Sequence, residues 1–191
     1  MNTKHGHQNK RRRQVSLNSS ETISLERPEA GEEIKITVEN GIIRISANQY
    51  NNSIDLTLAF ATKADVIHFN YPEDLGITIE AIKETTYFVE SINTREAKTI
   101  DTITDWVIQL HVVRNEANLE RRLLKFFELL MTRQGKRTPK GLMLEYTLSH
   151  ARIAEIVGST RSTVSRTIST LRKTKRIYID ELKNQIIIPV N

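Results

Sequence analysis

Apolar and polar residues alternate with a period of two over the first half of the chain and recur every three to four residues over the second. From Glu21 to about Lys98, the segments 34–38 (IKITV), 41–46 (GIIRIS), 54–60 (IDLTLAF), 64–69 (ADVIHF), 76–82 (GITIEAI) and 86–91 (TYFVES) place branched or aromatic residues at alternate positions, with Gly, Asn, Pro and Asp between them. Alternation turns one side of each segment toward a core, so six short strands are predicted, and their even spacing points to a compact all-β roll or barrel. The period changes near Thr99. Ile100, Ile103, Val107 and Leu110 recur like the seam of a coiled coil, with Trp106 and Val113 on flanking faces, and predict a helix over 99–115 whose seam is a dimer contact or, as the alternative, packs onto the β part. A second helix from Glu116 to Arg133 would bury Leu119, Leu123, Phe126, Phe127 and Leu130, with Gly135 and Pro139 closing it. Residues 144–148 (LEYTL) read as a strand, and 176–180 (RIYID) with 185–190 (QIIIPV) as a terminal hairpin.

Between these last elements lies the most specific signal, 148–173 (LSHARIAEIVGSTRSTVSRTISTLRK). Ser149 is an N-cap ahead of Ile153, Ile156 and Val157, and Gly158 falls where a helix ends in the left-handed conformation. Thr160 caps a second helix that buries Val164, Ile168 and Leu171, which leaves Arg161, Ser162, Ser165, Arg166 and Ser169 facing outward. Ala154 is small where two steeply crossed helices must approach. The pattern predicts a helix-turn-helix over 149–173 whose second helix can enter a DNA major groove.

Charge divides the chain in the same place as hydrophobic period. The 191 residues carry a formal charge of +5, but residues 14–113 hold seven basic and sixteen acidic side chains, and residues 114–191 hold sixteen basic and seven acidic. An acidic part that avoids nucleic acid and a basic part that meets it are the expected reading. Residues 1–20 are polar, basic and without apolar period, and read as a disordered tail. Its Lys10–Arg13 cluster would touch phosphates or simply keep the chain soluble. There are no cysteines, which excludes disulfides, thiolate zinc sites, cysteine-ligated iron–sulfur clusters and thiol switches. No stretch of eighteen apolar residues is present, so no membrane span is expected, and a cytoplasmic protein is the simplest expectation. The sequence has no GxSxG, P-loop, HExxH or dinucleotide fingerprint, and the adjacent Ser149 and His150 cannot face each other as nucleophile and base. An enzyme is not expected.

With IAEIVGSTRSTVSR in the C-terminal part, a long helix before it and ENGIIRIS in the β part, the chain resembles the CRP/FNR family of bacterial transcription regulators. The string GSTRSTVSR is similar to the recognition segment of that family's cyanobacterial nitrogen-control branch. The resemblance implies an α+β fold in three parts. These are an N-terminal β-roll over 21–98, cyclic-nucleotide-binding-domain-like but truncated at its start, a dimerisation helix over 99–115 and a winged helix-turn-helix over 116–191. It also implies a homodimer that joins at Ile100, Ile103, Val107 and Leu110 and binds double-stranded DNA at an inverted repeat, with recognition helices about 34–36 Å apart. Carried over by position, Arg161 and Arg166 become base-reading residues, each able to fork onto guanine O6 and N7. Ser162 stands where many members have glutamate or valine, and Ser165 adds a hydroxyl. His150, Thr160, Thr163, Ser169 and Lys173 fall at phosphate-contacting positions, with Arg172, Lys175 and Arg176 adding salt-dependent attraction. The loop from Lys136 to Gly141 lies where members touch RNA polymerase.

The sensor departs from the family pattern. Cyclic-nucleotide-binding members hold phosphate with an arginine–serine pair, yet 68–91 contains no arginine, which argues against cAMP. Between Ile100 and Val113 there is no Arg or Lys to hold a 2-oxoglutarate carboxylate, and His68 and His111 as lone histidines do not support haem. The expectation is a regulator with a degenerate effector domain and no cofactor or metal. The alternative is a β-roll and winged-helix module that contacts the transcription machinery without reading DNA sequence.

Overall fold

A computed structural model of the chain describes residues 12–49, 55–93 and 102–189. Eight strands come first: β1 (Arg13–Leu17), β2 (Thr22–Ser24), β3 (Glu32–Asn40), β4 (Ile42–Asn48), β5 (Asp55–Thr62), β6 (Val66–Phe69), β7 (Gly76–Ala81) and β8 (Thr85–Asn93). They form two antiparallel four-stranded sheets in the orders β1-β8-β3-β6 and β2-β7-β4-β5, so the chain crosses repeatedly between layers. Ile34, Ile36 and Val38 of one sheet and Ile43, Ile45, Phe60, Ile77 and Ile79 of the other are buried, as alternation along a two-layer roll requires. The passage from β3 to β4 turns on Gly41 at φ +85°. A Cβ there would overlap Thr85 Oγ1 and Glu84 O, and Thr85 Oγ1 accepts from the Ile42 backbone N–H at 3.0 Å, so the tight turn is tied to β8.

The six expected strands are present with shifted ends, and β1 and β2 precede them. The expectation of a disordered tail to residue 20 is corrected over Arg13–Leu17. This segment pairs with β8 from Arg13↔Val89 to Leu17↔Thr85, and Val15 is buried. Two inward apolar residues, buried Val15 and half-buried Leu17, after a run of basic and polar residues are too short a pattern to register as a strand. Of the basic cluster, Lys10 and Arg11 lie outside the described residues, and Arg12 sits 3.8 Å over the Phe88 ring.

Helix α1 (Thr102–Arg114) packs on β5 and β6. Trp106 meets Phe60 with ring centroids 5.8 Å apart, and the Arg133 guanidinium lies 4.2 Å over the indole. Helix α2 (Leu119–Gln134) starts at Asn118, whose side chain accepts from the Arg121 backbone N–H, and it buries Leu123, Phe126, Phe127 and Leu130. Strands β9 (Lys136–Thr138) and β10 (Gly141–Leu144) follow, then α3 (His150–Val157), α4 (Arg161–Lys173), β11 (Tyr178–Asp180) and β12 (Gln185–Ile188). The last sheet, in the order β11-β12-β10-β9, closes against the helices as a wing. The strand expected at 144–148 is corrected. Only Leu144 belongs to β10, while Tyr146 and Leu148 anchor an irregular link through burial and the Tyr146 hydroxyl, 2.6 Å from Gln134 Oε1. The loop expected from Lys136 to Gly141 is instead an edge hairpin, with Gly141 opposite Thr138.

The residues expected to form a dimer seam are placed differently from that expectation. Leu110 is only 6% exposed and Ile103 is half-buried, both against the chain's own core, while Ile100 lies outside the described residues. The apolar side chains that α1 turns outward are Val107, Ile108 and Val112, at 39%, 54% and 41% exposure. A 3–4 spacing marks a face that is buried but not the surface that buries it.

Candidate nucleic-acid interface

The helix-turn-helix is fixed by local chemistry that the structure displays bond by bond. Ser149 Oγ accepts from the Arg152 backbone N–H at 3.1 Å, which satisfies an otherwise orphaned donor at the start of α3. Gly158 adopts φ 68°, ψ 59°, and its N–H donates to Ala154 O. Thr160 Oγ1 accepts from the Thr163 backbone N–H at 3.2 Å and starts α4. Arg122 reaches across from α2 with N–H donors directed at the carbonyls of Val157 and Gly158, at 3.3 and 3.4 Å, and braces the turn. A Gly158→Ala variant would place its Cβ 3.1 Å from Arg114 Nη2, the end of a flexible side chain, so the backbone conformation sets the cost. The expected loss is about 1–2 kcal/mol, read as a lower urea midpoint with unchanged m-value.

Helix α4 buries Val164, Ile168 and Leu171. At about 100° per residue, Arg161, Ser162, Ser165, Arg166 and Ser169 share an arc of about 140° that contains none of the buried positions. Arg161, Ser162, Arg166 and Ser169 are exposed and Ser165 is half-buried. His150, Thr160, Arg161, Ser162 and Ser165 line one shallow, open groove of about 500 Å³, so residues from the starts of both helices converge. Thr163 Oγ1 lies 2.8 Å from Thr160 Oγ1, and the Ser169 hydroxyl donates to Ser165 O at 2.9 Å, so these two already have a protein partner. The guanidinium groups of Arg161 and Arg166 have no hydrogen-bond or ion-pair partner among the described residues. Lys173 is likewise exposed, whereas Arg172 pairs with Glu181 at 3.0 Å and Arg176 with Glu120 at 2.5 Å. Those two cations are less available to phosphate than their positions suggested.

Outside this face, the structure brings together residues that sequence reading missed. Arg44, on β4, is 1% exposed, and its guanidinium donates to Glu80 Oε2 at 2.6 Å, Asp55 Oδ2 at 2.6 Å and Thr57 Oγ1 at 2.9 Å. Burial raises the Asp55 pKa, but the Arg44 hydrogen bonds and the Ser46 hydroxyl outweigh it, with help from the Arg44 and Arg152 charges, and hold it at about 2. The only sign of this cluster in sequence is an arginine inside an otherwise apolar strand, GIIRIS. His68, on β6 opposite Lys35, has a buried Nδ1 without a hydrogen-bond partner among the described residues, and burial lowers its pKa; His111 is exposed on α1. Among the described residues no group of three or more His, Cys, Asp or Glu is placed to hold a metal ion. No described helix is long and apolar enough to cross a membrane.

With the geometry in hand, comparison with known proteins identifies the part. Residues 120–189 match the Crp-like helix-turn-helix domain family. The chain carries a Crp-like helix-turn-helix domain. Over 69 residues it is 39% identical to the Global nitrogen regulator of Synechococcus elongatus, covering 36% of this chain and 31% of that protein. It is 29% identical over 108 residues to a Probable transcriptional activator of Rhizobium leguminosarum bv. viciae, covering 56% of this chain and 43% of that one. The match to the nitrogen regulator thus spans about a third of that relative's length. The fold as a whole is that of CRP/FNR regulators. FixK2 from Bradyrhizobium japonicum matches with TM-score 0.65 at 20% identity, covering 93% of this chain and 92% of that one. A CooA mutant from Carboxydothermus hydrogenoformans matches with TM-score 0.65 at 18% identity, covering 93% and 83%. The Crp-like domain takes in α2, the helix-turn-helix and the wing, and the relatives matched by sequence are named as regulators.

Proposed function

We propose that this protein is a sequence-specific transcription regulator that binds an inverted-repeat DNA site as a homodimer in the cytoplasm. The observation that carries the reading is the recognition face of α4. Two exposed guanidinium groups without partners among the described residues stand on one arc with three serines, beside a groove that His150 and Thr160 complete. Forked donors on a helix that projects from a basic domain suit guanine edges in a major groove, while hydroxyl and imidazole groups at the helix starts suit phosphates. Val107, Ile108 and Val112 offer an outward apolar strip on α1 for a second copy, which would set two recognition helices about one duplex turn apart. In this reading the β domain works without cAMP, 2-oxoglutarate or haem. Its buried Arg44 is occupied by Asp55, Glu80 and Thr57, and so is not free to hold a ligand phosphate. Exposed Arg137 at the β9 edge remains available to RNA polymerase, whereas Lys136 pairs with Glu145 at 2.6 Å.

Selection from random duplexes tests the reading. Bound sequences are expected to share two inverted half-sites with centres about 10–10.5 base pairs apart. Recovery of no consensus, with binding that only follows ionic strength, would overturn it.

A further inference from the structure

The outer face of the β2-β7-β4-β5 sheet does not meet solvent at its centre. Arg44, Asp55 and Glu80 project there from β4, β5 and β7, and Arg152 of α3 closes over them. Arg152 Nη1 donates to Asp55 Oδ2 at 2.6 Å and Nη2 to Glu80 Oε2 at 3.0 Å, the same two oxygens that Arg44 engages at 2.6 Å each. Two guanidinium forks and two carboxylates thus form a closed ring across the boundary between the β domain and the helix-turn-helix. Beside the ring is an open cleft of about 200 Å³, bordered by Leu56, Leu110, His111, Arg114 and Ile156. Apolar interlock is therefore incomplete at this junction, and directional charge-assisted hydrogen bonds fix the relative orientation. His150, two residues before Arg152, lies on the groove side of α3, so the ring leaves the recognition face uncovered.

We propose that Arg152 is a positioning residue for DNA recognition. Held by Asp55 and Glu80, it sets the angle of α4 to the β domain and to α1, and thereby the half-site spacing that a dimer accepts. This inference rests on the proposed homodimer, but its first test does not.

The chain contains no cysteine, so a Lys63→Cys, Lys183→Cys pair, exposed on the β domain and on the wing, provides the only two sites for spin labels. The parent and Glu155→Gln, which removes the Arg152 partner that lies on α3 itself, are expected to give one narrow interlabel distance distribution. Arg152→Gln is expected to broaden it at unchanged helix content. Arg152→Lys keeps the charge but loses the fork that spans both carboxylates, and is expected to broaden it as well. In selections, Arg152→Gln should recover the parent half-site with spacing scattered over several base pairs, and should bind an isolated half-site within about twofold of the parent. Narrow distributions in both Arg152 variants, or an unaltered single spacing in selection, would sink the proposal. A parent that selects no inverted repeat would instead defeat the dimeric DNA-binding reading, and the label distances would still report whether Arg152 fixes the domains.

Discussion

Removing both arginines of the recognition face, Arg161→Ala with Arg166→Ala, is expected to reduce binding of the selected inverted repeat to the level of a random duplex. Each forked contact to guanine is worth about 1–3 kcal/mol, and a dimer would lose four of them. The loss saturates at the gap between specific and non-specific binding, about 4–10 kcal/mol. Neither side chain has a hydrogen-bond or ion-pair partner among the described residues, and alanine is the best helix former, so the unfolding midpoint should not fall. Titration of labelled duplexes at fixed salt, beside a urea unfolding curve, separates the two effects. Lys173→Ala provides the contrast. A phosphate contact carries no sequence information, so its loss should weaken both duplexes alike and flatten the slope of log K against log salt by about 0.9 for each contact removed. Specific binding retained by the double variant would mean that sequence is read elsewhere.

Arg44→Met is expected to destabilise the fold by about 3–5 kcal/mol, the cost of leaving one side of a buried ion cluster uncompensated. Asp55 and Glu80 would then face each other with only Arg152 between them, at a junction where their side chains are 34% and 17% exposed. The solvent that reaches Asp55 places the expected value toward the lower end. Adding Glu80→Gln removes one of the stranded charges and should recover part of the loss, which an ordinary packing defect would not do. The pH dependence has a definite sign. Asp55 is held at about 2 from an ordinary 3.8, so its contribution is complete above 3.8 and disappears as pH falls toward 2. Asp55→Asn should therefore flatten the fall in stability between about pH 4 and pH 2.

How much of this was legible in the chain depends on the range of the interaction. Ser149, Gly158 and Thr160 act through bonds that span three or four residues, and the helices they delimit, α3 (His150–Val157) and α4 (Arg161–Lys173), fall where those caps place them. The six apolar strands were legible because alternation is itself a local pattern. Strand β1 was not, since its identity comes from pairing with β8, 68 to 76 positions away.

The sequence by itself determined the helix-turn-helix, its exposed arginines and the contrast between an acidic β part and a basic C-terminal part, because capping, helical period and charge depend on near neighbours. Only the tertiary structure decided which side of α1 is covered. Trp106, Leu110 and Val113 turn inward because the roll presents Phe60 to them, which leaves Val107, Ile108 and Val112 outside. It also decided the fate of Arg44 and Arg152, 108 positions apart, whose guanidinium groups share Asp55 and Glu80. A charge states what it attracts, but only the packing of distant segments brings it a partner.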